Sequence, residues 1–289
     1  FFLLLLNKAD MLCAIDIDTI LPVYYASRLK RVKRVYDAHE YFSELKEVVT
    51  RPNIQRWWKR IESFAIPKFQ SGYTVSQSIA QAFHDLYGVK YELIRNVPNP
   101  RLSTEIPANR IKAILYQGAV NEARGFEFLI PAMKKVDAEL HIYGSGNMEN
   151  TCKALAVQHG VSDKIRFFGM VTPARLQEIT DHYYIGINLV EKIGLNQYYS
   201  LANKFFDYIQ ARVPQVTMNF PEYARINQEA RVAILLDDLD IDSIASALNL
   251  LLADFVLYRQ LVDNCAVLQE KYCWEVEKNR LLKMYEKLC

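Results

Sequence analysis

A glycine-opened turn, Tyr116-Gln117-Gly118-Ala119-Val120-Asn121-Glu122-Ala123-Arg124-Gly125, is one of five stretches whose residue types and spacing could do chemistry. At a strand end, leading into a helix behind an arginine, it would offer backbone N–H groups and a guanidinium to an anion. Ordinary strand–turn–helix units share that spacing. Gly144 and Gly146 in YGSG allow a backbone to approach a ligand closely, or simply make a tight turn. In FFGMV the backbone of Gly169, Met170 and Val171 could face a flat base. Residues 191–207, EKIGLNQYYSLANKFFD, put Lys204 and Asp207 three apart on one helix face, where a surface ion pair would also fit. Asp37-Ala38-His39-Glu40 ends an apolar run, and its ionisable groups suit acid–base or hydrogen-bonding work as well as a solvated loop. Trp57 and Trp58 read as core packing rather than a ligand platform.

These stretches need a scaffold that brings strand ends to one rim. Short apolar β-rich runs alternate with longer helical patterns, which indicates βαβ units and parallel sheets. The first series has strands at 11–15, 33–36, 72–76 and 91–94, with helices over 19–30, from 52 onward, and up to Tyr87-Gly88 from a cap at Ser76 or Ser78. Residues 96–107, NVPNPRLSTEIP, hold three prolines and no apolar period, and read as a linker. The second series has strands at 111–116, 139–143, 164–168, 185–189, 215–218 and 232–235, with a helix over 201–211. Two closing helices, 240–253 and 256–268, precede a final amphipathic one. The expected fold is α/β with two Rossmann-like domains: residues 1–98, then 99–273, with 274–289 packing back on the first. The first series is short of strands for a complete Rossmann-like domain, so that domain is expected to be incomplete at its N-terminus.

Composition narrows the function classes. Lys+Arg number 35 against Asp+Glu 33, too even for the concentrated basic field of a nucleic-acid binder. The five cysteines have neither an even count nor a CxxC pair, which favours reduced thiols over a disulfide framework or a zinc site. The opening FFLLLL is too short to span a bilayer and reads as a truncated buried helix. Basic stretches at 28–31 and 33–34 could touch anionic lipid, or simply face water.

Taken together, DAHEYFSE (37–44), YTVSQSIA (73–80), IRNVP (94–98), YQGAVNEARGFEFLI (116–130), ELHIYGSG (139–146), IRFFGMV (165–171) and NQYYSLANKFFDYIQARVPQV (196–216) resemble the family 4 glycosyltransferases. The resemblance implies the two-domain GT-B fold and a nucleotide-sugar donor held by the second domain. It implies donor phosphate and sugar contacts at Gly118, Arg124, Asn196, Ser200 and Lys204. It implies nucleoside contacts at Gly144, Gly169, Met170, Val171 and Asp207, the last toward ribose hydroxyls. His39, with Asp37, would stand at the reaction centre. A helix N-terminus near Ser200 would join Arg124 and Lys204 in stabilising the leaving diphosphate. No metal or other cofactor is expected. Ala119 departs from the pattern, since many members have arginine there, and Tyr199 and Asp207 stand where many have glutamates. The implied activity is a retaining hexosyltransferase acting on a glycan or lipid-linked acceptor in cell-envelope polysaccharide assembly. It would be cytoplasmic, with peripheral contact at the membrane face and no nucleic-acid partner. Two alternatives stay open: a non-catalytic nucleotide-binding homologue, and a nucleotide-sugar epimerase of GT-B fold.

Overall fold

The computed structural model describes residues 1–101, 107 and 109–288. The centre of the 96–107 linker and Cys289 lie outside the described residues. Two compact units emerge. Unit 1 comprises Phe1–Asn96, Lys192–Leu201 and Glu277–Cys289; unit 2 comprises Val97–Glu191 and Ala202–Val276. Residues 192–201, placed by the sequence reading in the second domain, thus cluster with unit 1.

Unit 1 holds a parallel four-stranded sheet in the order β1 (Met11–Ile15), β2 (Lys33–Ala38), β3 (Gly72–Thr74), β4 (Glu92–Leu93). From Val35 to Ala38, β2 is buried on both faces, as a covered parallel strand must be. Its Tyr36 ring meets Phe69, Phe83 and Tyr91 at centroid distances of 6.0, 6.5 and 5.9 Å, and these aromatics anchor the core. Burying each contributes about 1.5–3 kcal/mol. Helix Asp16–Lys30 begins directly after β1, earlier than the periodicity indicates. FFLLLL does form a helix, Phe2–Leu6, but it has no buried residue: Leu4 and Leu5 lean on the core while Phe2, Leu3 and Leu6 face outward. Trp58 packs against the core and Phe42, whereas Trp57 is 54% exposed and is not core.

Unit 2 is built on six parallel strands, β5 (Ile111–Gln117), β6 (Glu139–Tyr143), β7 (Ile165–Gly169), β8 (Tyr183–Asn188), β9 (Gln215–Met218) and β10 (Ala233–Leu236). Their order is β10-β9-β8-β5-β6-β7. Strand order therefore reverses between β5 and β8, the point where open α/β sheets bind ligands beyond their carboxyl ends. The last five residues of β5 are all buried, so this strand forms the rigid floor beneath the rim.

The loops at that rim are fastened to each other through glycines. Gly144 has φ +144°, and a Cβ there would lie 1.9 Å from the Gly118 carbonyl oxygen. One at Gly146 would lie 2.2 Å from that of Val120. Amide bonds close the same seam: Gly118 N to Tyr143 O at 2.9 Å, Val120 N to Ser145 O at 3.0 Å and Met148 N to Val120 O at 2.9 Å. The glycines of YGSG thus serve loop-on-loop packing.

This seam makes a stability prediction. Gly144→Ala should cost about 3 kcal/mol or more, because positive φ and a backbone clash combine. Gly160→Ala, at φ +67° with open space around it, should cost only about 1 kcal/mol. Urea unfolding measures both, and equal losses would contradict the packing role.

Candidate functional site

At the carboxyl end of β5, in unit 2, two cations stand together. Lys204 is the second residue of helix Asn203–Gln210, and its Nζ sits 3.8 Å from the centroid of the Tyr116 ring. Gly118, at φ +121°, runs beneath it: a Cβ there would come within 3.4 Å of Nζ. A bare backbone at this position keeps the lysine's seat open. Arg124 is half-buried in the turn after β5, close enough for its charge to act on Lys204. Among the described residues neither side chain forms an ion pair with a carboxylate. Burial first, and Arg124 second, hold the Lys204 amine well below the usual lysine range, against a smaller pull from Asp207.

The helix carrying Lys204 starts at Asn203, not near Ser200. Ala202 caps it without a side-chain bond; Phe205 N–H already donates to Ala202 O at 3.0 Å, which leaves the amides of Asn203 and Lys204 without intrahelical partners at the positive end of the helix dipole. The amides of Gly118 and Gly144 are spent, the first on Tyr143 O and the second on Gly169 O at 2.8 Å. The groups at this rim that could meet an anion are therefore Arg124, Lys204 and the start of helix Asn203–Gln210.

Asp207 lies one turn further along. It is no exposed ion-pair partner of Lys204: its Oδ2 accepts a 2.8 Å bond from Gln117 Nε2, and Gln117 Oε1 accepts one of 2.9 Å from Thr180 Oγ1. Burial pushes its carboxyl up to about 6, opposed by Arg101 and by the Gln117 bond. Gln117 and Thr180 escaped the sequence reading. A polar residue closing an otherwise apolar strand, as in IKAILYQ, is the signal that marks Gln117. On the other side of β5, Gly169 has φ +70° with nothing within 4 Å of where a Cβ would sit, and Met170 is 79% exposed. The Gly169–Val171 backbone is thus open to a flat ligand. Phe168 and Tyr143 stack beside it with centroids 4.5 Å apart and planes 4° from parallel.

Unit 1 has its own polar rim, again at strand carboxyl ends. Asp37 is 7% exposed, and its Oδ2 is shared between His39 Nε2 at 3.0 Å and Tyr73 OH at 2.8 Å. With a carboxylate accepting at Nε2, the neutral imidazole keeps Nδ1 as its basic nitrogen. The other Asp37 oxygen is buried without a partner among the described residues. Asp16 Oδ1 accepts the backbone N–H of His39 at 3.0 Å and of Glu40 at 3.2 Å, and so shapes the turn that presents the imidazole. Asp16 was missed in the sequence reading, though it directly follows β1 at the same rim. Asn196 and Ser200 belong to unit 1. Asn196 Oδ1 accepts the Tyr41 N–H at 2.8 Å, and Ser200 Oγ donates to Gln197 O at 2.8 Å. Among the described residues no three His, Cys, Asp or Glu side chains cluster as a metal site would require.

Residues 111–254, which include all six strands of the unit 2 sheet, match the family described as Glycosyl transferases group 1. Unit 2 is a group 1 glycosyltransferase domain. An uncharacterized glycosyltransferase of Methanocaldococcus jannaschii, MJ1607, is 26% identical to this chain over 182 residues, covering 61% of the chain and 45% of that protein. The chain thus spans less than half of that curated relative's length. Among solved structures, a glycosyltransferase from Rickettsia africae superposes with TM-score 0.77 at 13% identity, covering 97% of this chain and 77% of the other. Anabaena Alr3699/HepE in complex with UDP gives 0.77 at 12% identity, with 96% and 79% covered. At such identities the likeness is one of fold: GT-B, two Rossmann-like domains. In the group 1 domain, the strand-order reversal and the pair of cations coincide.

The Asp207 carboxyl makes a second prediction. Its folded-state value lies above that of an unfolded aspartate, so the folded chain binds the extra proton and the ionised group opposes folding at higher pH. Asp207→Asn should therefore stabilise the chain by roughly 1–2 kcal/mol at pH 8. The gain should fade as pH drops through 6 toward 4. Urea unfolding at pH 8 and pH 4.5 tests this, and a pH-independent effect would contradict it.

Proposed function

We propose that this chain transfers a hexosyl group from a nucleoside-diphosphate sugar to a glycan or lipid-linked acceptor, with retention of configuration, in cell-envelope polysaccharide assembly. The observation that carries this reading is the pair Arg124 and Lys204, two cations with no bound carboxylate among the described residues, at the switch point of a group 1 glycosyltransferase domain. As the glycosidic bond to the donor breaks, negative charge gathers on the departing diphosphate. Arg124, Lys204 and the amides opening helix Asn203–Gln210 would receive it. In this reading side-chain cations, not a metal, neutralise the leaving group. Asp207 would take the ribose hydroxyls, and the Gly169–Val171 backbone would face the base. Neighbours of the same fold support the donor class: Anabaena Alr3699/HepE was solved with UDP-glucose, and pneumococcal GtfA, an O-GlcNAc transferase, with UDP and GlcNAc.

In the same proposal His39, oriented by Asp37, serves the reaction centre, and the protein works at the cytoplasmic face of the membrane. Among the described residues no single helix is long and apolar enough to cross a bilayer. Lipid-linked acceptors would then be met through peripheral contact.

Calorimetry with UDP tests the donor half. Arg124→Ala and Lys204→Ala should each weaken binding by about 1.5–3 kcal/mol, the worth of a charge-assisted contact. Unchanged affinity in both would refute the assignment. Transfer assays test the other half: His39→Ala should lower turnover at least tenfold while donor affinity stays within about twofold. Donor binding without any transfer by the unaltered chain would instead favour a nucleotide-holding protein.

A further inference from the structure

Unit 2 also encloses a cavity at the end of its sheet opposite the rim. Its volume is about 600 Å³, within the range that takes a drug-sized organic molecule. It lies between the start of β5, Tyr184 near the start of β8, and the corner where helix Ile241–Ala253 passes into helix Phe255–Gln269. Because β5 is 7 residues long, the cavity and the rim stand about 20 Å apart along the strand. Arg110, Lys112 and Arg259 line it, and none of its described lining residues is an Asp or Glu. Of the carboxylates nearby in the fold, Asp254 accepts the Leu257 N–H at 2.9 Å and Asp181 pairs with Arg101.

Arg110 is spent on the scaffold. Its guanidinium donates to Ala211 O and Arg212 O at 2.7 Å each, to Asp181 O at 3.2 Å and to the Tyr258 hydroxyl at 3.1 Å. Those acceptors are neutral, so its charge still bears on the cavity. Lys112 and Arg259 form no ion pair or hydrogen bond among the described residues, and both are exposed. Tyr184 stacks on Tyr258 with centroids 3.7 Å apart and planes 2° from parallel, which fixes the ring. Its hydroxyl has no hydrogen-bond partner among the described residues. The rest of the wall is apolar, and its Phe255 is 66% exposed, so burial of that ring is left unused.

We propose that this cavity binds an organic phosphate. The phosphomonoester would be held by Lys112, Arg259 and the Tyr184 hydroxyl, with an apolar body lying against Leu252, Phe255 and Val262. A phosphate fits because its dianion matches uncompensated cations, and its oxygens accept from donors on separate elements at once. The proposal does not rest on the donor reading, since it uses neither Arg124 nor Lys204.

Calorimetry with 1-naphthyl phosphate tests this. Lys112→Ala and Arg259→Ala should each weaken its binding about fivefold. Phe255→Ser should weaken it too, while leaving inorganic phosphate unaffected. All three side chains are exposed, so the variants keep the fold, which unchanged thermal midpoints would verify. Inorganic phosphate and 1-naphthol should each bind about tenfold more weakly than 1-naphthyl phosphate, because each lacks half of what the cavity offers. No binding of 1-naphthyl phosphate, binding untouched by the three substitutions, or binding lost in Lys204→Ala would overturn the proposal. Equal affinity for inorganic phosphate or for 1-naphthol would overturn the ligand class. Cosedimentation with vesicles of phosphatidylcholine, with and without phosphatidic acid, identifies the source. Capture only by the phosphatidic acid vesicles, lost in Lys112→Ala and Arg259→Ala, supports the proposal with a lipid headgroup as the phosphate. Binding of 1-naphthyl phosphate without vesicle capture supports it with a soluble organic phosphate.

Discussion

Two like charges held at one strand end, with too little opposite charge to satisfy them, are the constraint around which unit 2 is arranged. Arg124 and Lys204 could be relieved by full hydration or by a carboxylate. Instead one is half-buried in a turn, and the other is laid on an aromatic ring at a helix start. Such an arrangement opposes stability and persists only where the surrounding structure over-determines it. Here the over-determination is visible. The buried last five residues of β5 form the floor, glycine-to-carbonyl packing welds the 118–121 and 144–148 loops together, and buried Tyr208 hydrogen-bonds the β5 backbone at Leu115 O. The stability lost at the rim is supplied by the core beneath it.

Unit 1 solves a different problem with the same geometry. Its strand ends present carboxylates rather than cations, and one buried carboxylate, Asp37, holds both His39 and Tyr73. A histidine left to solvent would sample several orientations. One hydrogen-bonded at Nε2, with its backbone N–H tied to Asp16, is presented in a single tautomer and direction.

Much of this was legible in the residues. Alternating β-rich runs and helices announced two parallel-sheet units, because a parallel strand buried on both faces must read as continuous apolar sequence, as AILY within β5 does. Arg124, Lys204, Asp207 and Asp37-His39 were visible as polar residues at predicted strand or helix ends. What escaped was long-range. No local pattern shows that Gly144 exists to admit the Gly118 carbonyl, that Gln117 reaches Asp207 ninety positions away, or that 192–201 clusters with unit 1 through Asn196 and Tyr41. The helix expected at 201–211 starts two residues later, unaided, at Asn203, and the Ser200 hydroxyl bonds Gln197 O. Trp57 was misjudged because composition cannot say which face of helix Pro52–Ala65 turns inward.

Crystals of the chain grown with UDP would examine the cation pair most directly. Density for the two phosphates should lie within hydrogen-bonding reach of the Arg124 guanidinium, Lys204 Nζ and the first amides of helix Asn203–Gln210. Phosphates seated elsewhere, with Arg124 and Lys204 both turned to solvent, would contradict the account.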